Sequence, residues 1–211
     1  MPTSVPILPK ARLEALVDGV FAIAMTILVL ELKVPDLATR RDPGELFRRL
    51  GDGLPTLLAY FFSFGMLAAF WLWHHRLAAK VSRLDRTLVA LSLCFLCLVS
   101  FFPFAAALLG RYPMNPASLA IYMPAVMGIL LCQVSFFAHA RRRGLVDPAV
   151  GEAEALGVHR RNLKGGLIFA LWASLSLIRV GWVWVLGALG VAGVLALEFR
   201  RSRSRGPDSG G

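Results

Sequence analysis

Cysteine and histidine are scarce, with three and four residues in a chain of 211. Four histidines are too few for the several histidine clusters that a membrane di-iron enzyme needs. Cys94 and Cys97 have C-x-x-C spacing, but they lie in "LSLCFLCLVSFF", deep in an apolar run. Metal and redox chemistry need thiolates, which apolar surroundings disfavour, and no second pair completes a zinc site. A packing role is expected for both, and no metal site. The chain has no G-x-x-x-x-G-K-[ST] phosphate loop and no G-x-G-x-x-G after a strand, so no cofactor is expected. It also lacks the repeated arginines of a voltage sensor and a T-V-G-Y-G filter. No inverted repeat of the transporter kind is visible. An enzyme is not expected.

Acidic residues are few as well: 13 against 23 Lys and Arg, for a net charge of +10. In a soluble protein that balance suggests nucleic acid, but the distribution of the charges points elsewhere, and no nucleic-acid partner is expected.

What the chain has in excess is apolar residues, 57 % of the total. They fall in six continuous blocks, about 11–33, 54–78, 86–110, 117–140, 163–179 and 181–199. A membrane helix needs about 20 such residues. Barrel strands would alternate with period two, and continuous runs in lipid satisfy their backbone only as helix. The expectation is an all-α polytopic membrane protein of six transmembrane helices over residues 1–200, the last two forming a tight hairpin. Residues 201–211, "RSRSRGPDSGG", read as a disordered cytoplasmic tail. The first block is longer than a signal-peptide core and has no small-residue cleavage site after Leu32, so it is expected to remain as a span. Basic residues crowd one side of the alternating topology: Lys10 and Arg12, the Arg76–Arg86 loop, Arg141–Arg143 with Arg160, Arg161 and Lys164, and the tail. The opposite loop carries Asp36, Asp42, Glu45 and Asp52 among fewer cations. The positive-inside rule then puts both termini in the cytoplasm.

Polar residues inside the blocks are costly unless paired or wet. Asp18, Thr26, His74, His75, Gln133 and His139 stand out. Gln133 is expected to bond a neighbouring helix and His139 to be interfacial. His74 and His75 fall at a similar depth to Asp18 in antiparallel segments, so a histidine–Asp18 bond is expected. At about 100° per residue, Leu16, Gly19, Ile23, Thr26, Ile27 and Leu30 share one helical face, and Asp18 lies opposite with Phe21, Met25 and Leu32. Asp18 should therefore tie the first helix to its own subunit. An apolar stripe of this period also suits ordinary helix packing, and the residues alone go no further.

The stretch "RLEALVDGVFAIAMTILVLELKVP" (12–35) resembles the first helix of the prokaryotic transmembrane protein 175 potassium channels. That family is marked by Arg, three residues, Phe-Ser-Asp and an apolar helix ending in Leu-Glu and Pro. Arg12 and Asp18 match, whereas Leu16-Val17 stand in place of Phe-Ser. "FWLWHHRL" (70–77) and "LVSFFPFAAALLG" (98–110) are similar to the second and third helices. The resemblance implies a multi-pass protein of the prokaryotic cell membrane and a homotetramer conducting potassium ions through a pore lined by the first helix. It implies constriction by Ile23, Ile27 and Leu30, a hydroxyl ring at Thr26, and a structural cluster of Arg12, Asp18, His74 and His75 at the cytoplasmic end. A valine at position 17 leaves that cluster short of one hydroxyl. The rival readings are a proton pathway or secondary transporter on the same helices, and a non-conducting membrane scaffold.

Overall fold

The computed structural model describes residues 8–39, 41–113 and 115–150, together with Leu156, Gly157 and Arg160. Its elements are α1 (Lys10–Ile27), which tightens into a 3-10 turn at Leu28–Glu31, α2 (Pro43–Asp52), α3 (Leu54–Ala79), α4 (Arg86–Arg111) and α5 (Pro116–Arg142). Four stretches among the described residues are long and apolar enough to cross a membrane: Lys10–Glu31, α3, α4 and α5. They coincide with the first four blocks of the sequence. The fifth and sixth, 163–179 and 181–199, and the 201–211 tail lie outside the described residues. The first block departs from the expected single α-helix. It leaves α geometry after Ile27, and Leu32 is already extended ahead of Pro35. A 3-10 turn is a common way to close a helix, and proline disfavours helix in the residue before it. Helix α2 is an addition that hydropathy does not signal.

Side-chain caps start α2, α4 and α5. Asp42 caps α2 by accepting from the amides of Gly44 and Glu45, and Pro43 occupies the first helical position. Asn115 caps α5 in the same way through Ala117. Helix α5 ends in a Schellman turn: Gly144 takes φ +63°, Leu145 N donates to Ala140 O at 2.9 Å and Gly144 N to Arg141 O at 3.3 Å.

The core lies where α1, α3, α4 and α5 meet. Phe21 packs on Phe95 with ring centroids 5.6 Å apart, and Phe102 touches both Phe70 at 6.4 Å and Tyr122 at 5.2 Å. In lipid such contacts gain dispersion energy but little hydrophobic free energy, because acyl chains are as apolar as leucine. Polar ties therefore weigh more in fixing register, at about 0.6 kcal/mol each. Gln133 Nε2 donates to Phe70 O at 3.1 Å and joins α5 to α3, as expected from its place in the sequence. Ser63 and Tyr122 hydroxyls meet at 3.4 Å.

One end of the bundle is tied by hydrogen bonds. Lys10 Nζ donates to Val81 O at 2.8 Å. Val81 forms an antiparallel bridge with Val146, flanked by Ser82 N to Leu145 O at 2.9 Å and Asp147 N to Lys80 O at 2.9 Å. Beside it, Asp85 caps α4 through Leu88 N and pairs with His139 Nε2 at 2.7 Å. His139 is thus a link from α5 to the start of α4. Burial would raise the Asp85 carboxyl, but the hydrogen bonds from His139 and Leu88 and the charges of His139 and Arg143 outweigh it and hold the group below its ordinary value. This is the end that carries Lys10, Arg12, Arg76, Lys80, Arg83 and Arg141–Arg143. The start of α1, the end of α3, the start of α4 and the end of α5 all gather there, as alternating spans require.

Candidate functional site: one face of α1 and the polar cluster beneath it

Helix α1 is packed on one side only. Leu13, Val17, Phe21 and Ala24, with Leu28 in the 3-10 turn, are buried against α3 and α4. On the opposite side Ile23 is 60 %, Ile27 44 % and Leu30 63 % exposed, and Thr26 is exposed between them. Leu16 and Arg12 are exposed as well. Arg12 precedes Ile23 by eleven positions, about three helical turns, so both lie along the same face. This face presents four large apolar side chains, Leu16 among them, one hydroxyl and, at the tied end, one guanidinium.

The Thr26 hydroxyl has a defined orientation. Oγ1 donates back to Ala22 O at 2.8 Å, with Ile23 O at 3.0 Å. A hydroxyl has one proton, so that proton is committed to the helix and its lone pairs remain as acceptors. The exposed face therefore offers a side-chain oxygen ready to meet a cation or a water. Nothing titratable sits among Ile23, Thr26, Ile27 and Leu30.

The four residues grouped at the inner end by the sequence separate into three places. Asp18 bonds to α3, but its partner is Trp71, whose Nε1 donates to Oδ1 at 2.8 Å. Trp71 in turn stacks on His75, ring centroids 5.9 Å apart. His74 points inward and is buried between Phe95 at 4.6 Å and Phe136 at 5.4 Å. Its Nδ1 has no hydrogen-bond partner among the described residues. Arg12 stands apart on the exposed face of α1. Among the described residues neither His74 nor His75 makes the expected bond to Asp18, and Trp71 takes that place.

Trp71 and Lys10 are the residues that the sequence reading missed, and both had a signal. The indole N–H of a tryptophan at a helix contact seeks an acceptor. Lys10 fixes the register: once it bonds Val81, eight residues up α1 and ten up α3 bring Asp18 and Trp71 to about the same height. Depth alone also admitted His74; the helical face decides for Trp71.

Val17 lines a small crevice shared with Lys10, Leu13, Glu14, His74 and Phe136. The position where the family pattern has serine thus lies beside the histidine whose Nδ1 lacks a partner. Val17 fills the place with methyl groups that neither donate nor accept.

These features define the class first: an all-helical, multi-pass membrane protein whose first span leaves an apolar, hydroxyl-bearing face uncovered. The family follows from comparison with known proteins. The profile described as the endosomal/lysosomal potassium channel TMEM175 matches residues 12–103. A potassium channel of Streptomyces collinus is 33% identical over 195 residues, covering 90% of this chain and 91% of its own. A potassium channel of Chamaesiphon minutus is 32% identical over 192 residues, covering 89% of this chain and 92% of its own. Among solved structures, a lysosomal potassium-selective channel TMEM175 homolog from Chamaesiphon minutus superposes with a TM-score of 0.72 at 31% identity, covering 93% of this chain and 98% of that one. The chain belongs to the TMEM175 family, a family of channels and not of enzymes.

Proposed function

We propose that this chain is one subunit of a homotetrameric, potassium-selective channel of the prokaryotic cell membrane. Each subunit has six transmembrane helices and both termini in the cytoplasm, and four copies of α1 line the pore. The reading rests on one observation above the rest: α1 turns Ile23, Thr26, Ile27 and Leu30 outward from its own subunit while Leu13, Val17, Phe21 and Ala24 are buried within it. Brought together around an axis, Ile23, Ile27 and Leu30 form apolar rings that hold a constriction shut to water until it widens. Thr26 supplies four acceptor oxygens to a partly dehydrated cation. Asp18, Trp71 and His75 hold the inner half of α1 against α3, and Arg12 stands at the inner mouth. Flux is passive and needs no cofactor.

Potassium flux into liposomes holding the purified chain, with sodium in parallel, tests this. Potassium should exceed sodium, and Ile23→Asn should raise flux by wetting the narrowest ring. Unchanged flux in a correctly assembled Ile23→Asn variant removes the pore assignment. Absence of flux in both forms favours a scaffold. Flux that saturates and follows a titratable group favours a proton pathway or transporter, although the stripe itself holds no such group.

A further inference from the structure

Helix α2 buries none of its residues in the subunit, yet it is strongly two-faced. At about 100° per residue, Leu46, Phe47 and Leu50 share one side, while Glu45, Arg48 and Asp52 share the other. Phe47 is 74 % and Leu50 51 % exposed. A helix of ten residues with an uncovered aromatic and two leucines on one side is not stable in water without a partner.

Its place in the chain selects that partner. Only Gly53 separates α2 from α3, a membrane span, so α2 ends where the bilayer surface must be. Pro55 has no amide with which to carry the hydrogen-bond ladder across the junction. The apolar face also runs on into the exposed Leu54, Leu57 and Leu58 of the first turns of α3. Within the helix Arg48 and Arg49 balance Glu45 and Asp52, so the attraction comes from apolar burial and needs no anionic headgroup.

We propose that α2 is an interfacial helix, lying on the bilayer at the end of the molecule opposite the Lys10–Val81 tie, with Leu46, Phe47 and Leu50 among the acyl chains. This is the pattern of in-plane amphipathic anchors. The anchor is coupled to α1. Glu45 accepts from the amides of Ala38 and Thr39 at 3.2 and 3.3 Å, holding the linker that leaves the outer end of that helix. The bilayer surface thereby sets the position of the linker.

The test uses the full chain in phosphatidylcholine liposomes, with Cys94, Cys97 and Cys132 replaced by alanine and flux equal to the parent as the folding control. Spin labels at Leu46→Cys, Phe47→Cys, Leu50→Cys, Arg48→Cys and Asp52→Cys report collisions with oxygen and with a water-soluble nickel chelate. The oxygen-to-nickel ratio should be several-fold higher at the three apolar positions than at the two charged ones. Nickel access at all five positions places the helix in water and overturns the proposal. Shielding of the apolar three from both reagents also overturns it, in favour of contact with a second copy. Carbene labelling of the unmodified chain by a phosphatidylcholine-borne diazirine gives an independent reading: label on the Phe47 peptide is expected, and its absence counts against the anchor.

Discussion

Thr26 and Val17 show how single side chains differ in what they contribute to this helix. Thr26 has its proton tied to Ala22 O and turns its lone pairs outward. Thr26→Val keeps the shape and removes the oxygen. The loss should be about 1 kcal/mol of discrimination, roughly a fivefold fall in the potassium-to-sodium permeability ratio, read from reversal potentials. An unchanged ratio takes Thr26 out of the selectivity mechanism. Val17 has the opposite defect: it sits beside His74, whose Nδ1 has no partner among the described residues, and has nothing to offer it. A serine there should gain the bond that valine lacks, against some loss of packing. A thermal double-mutant cycle of Val17→Ser with His74→Phe separates the two effects, with an expected coupling of about 1 kcal/mol. Additivity within error would show that the two side chains do not meet.

Among the helices, close approach is set by small residues. A Cβ on Gly110 would lie 3.2 Å from both Ala59 Cβ and Thr56 Cα, and Thr56 Oγ1 already donates to Gly110 O at 3.2 Å. Because a backbone atom is among these neighbours, the strain cannot be relieved by a side-chain rotation. Gly110→Leu should separate α3 from α4 and cost about 1–3 kcal/mol, with Gly110→Ala less affected, as measured by unfolding in detergent. A silent Gly110→Leu would show that the two helices slide freely. The elements also mark how far the sequence could be read. The four described spans were legible because continuous apolar runs leave the backbone in lipid no alternative to helix. The outward stripe of α1 was legible from period alone. Helix α2 was not, since ten residues with three large apolar side chains and four charges fall below any span signal. Nor was the partner of Asp18: depth and charge named a histidine, while the indole one turn away had the right face.

For the whole molecule, the uncovered face of α1 makes the single chain incomplete. One subunit leaves more than half of the Ile23 and Leu30 side chains exposed. The proposed fourfold closure around α1 would give that face one common environment and leave the remaining apolar surface to lipid. Native mass spectrometry of protein released from nanodiscs should show particles of four 23.0 kDa chains. A dominant monomer or dimer with full potassium flux would break the link between assembly and pore.

The tie between Lys10 and Val81 also sets an order of biosynthesis. The ammonium of Lys10 meets its acceptor 71 residues later, and the bridge to Val146 waits for a further stretch of synthesis. At the translocon α1 therefore enters lipid alone, before any element that will hold it exists. It is suited to that interval, since no charged side chain falls between Gly19 and Leu30. The base of α1 is thus latched only once the chain has passed the end of α3.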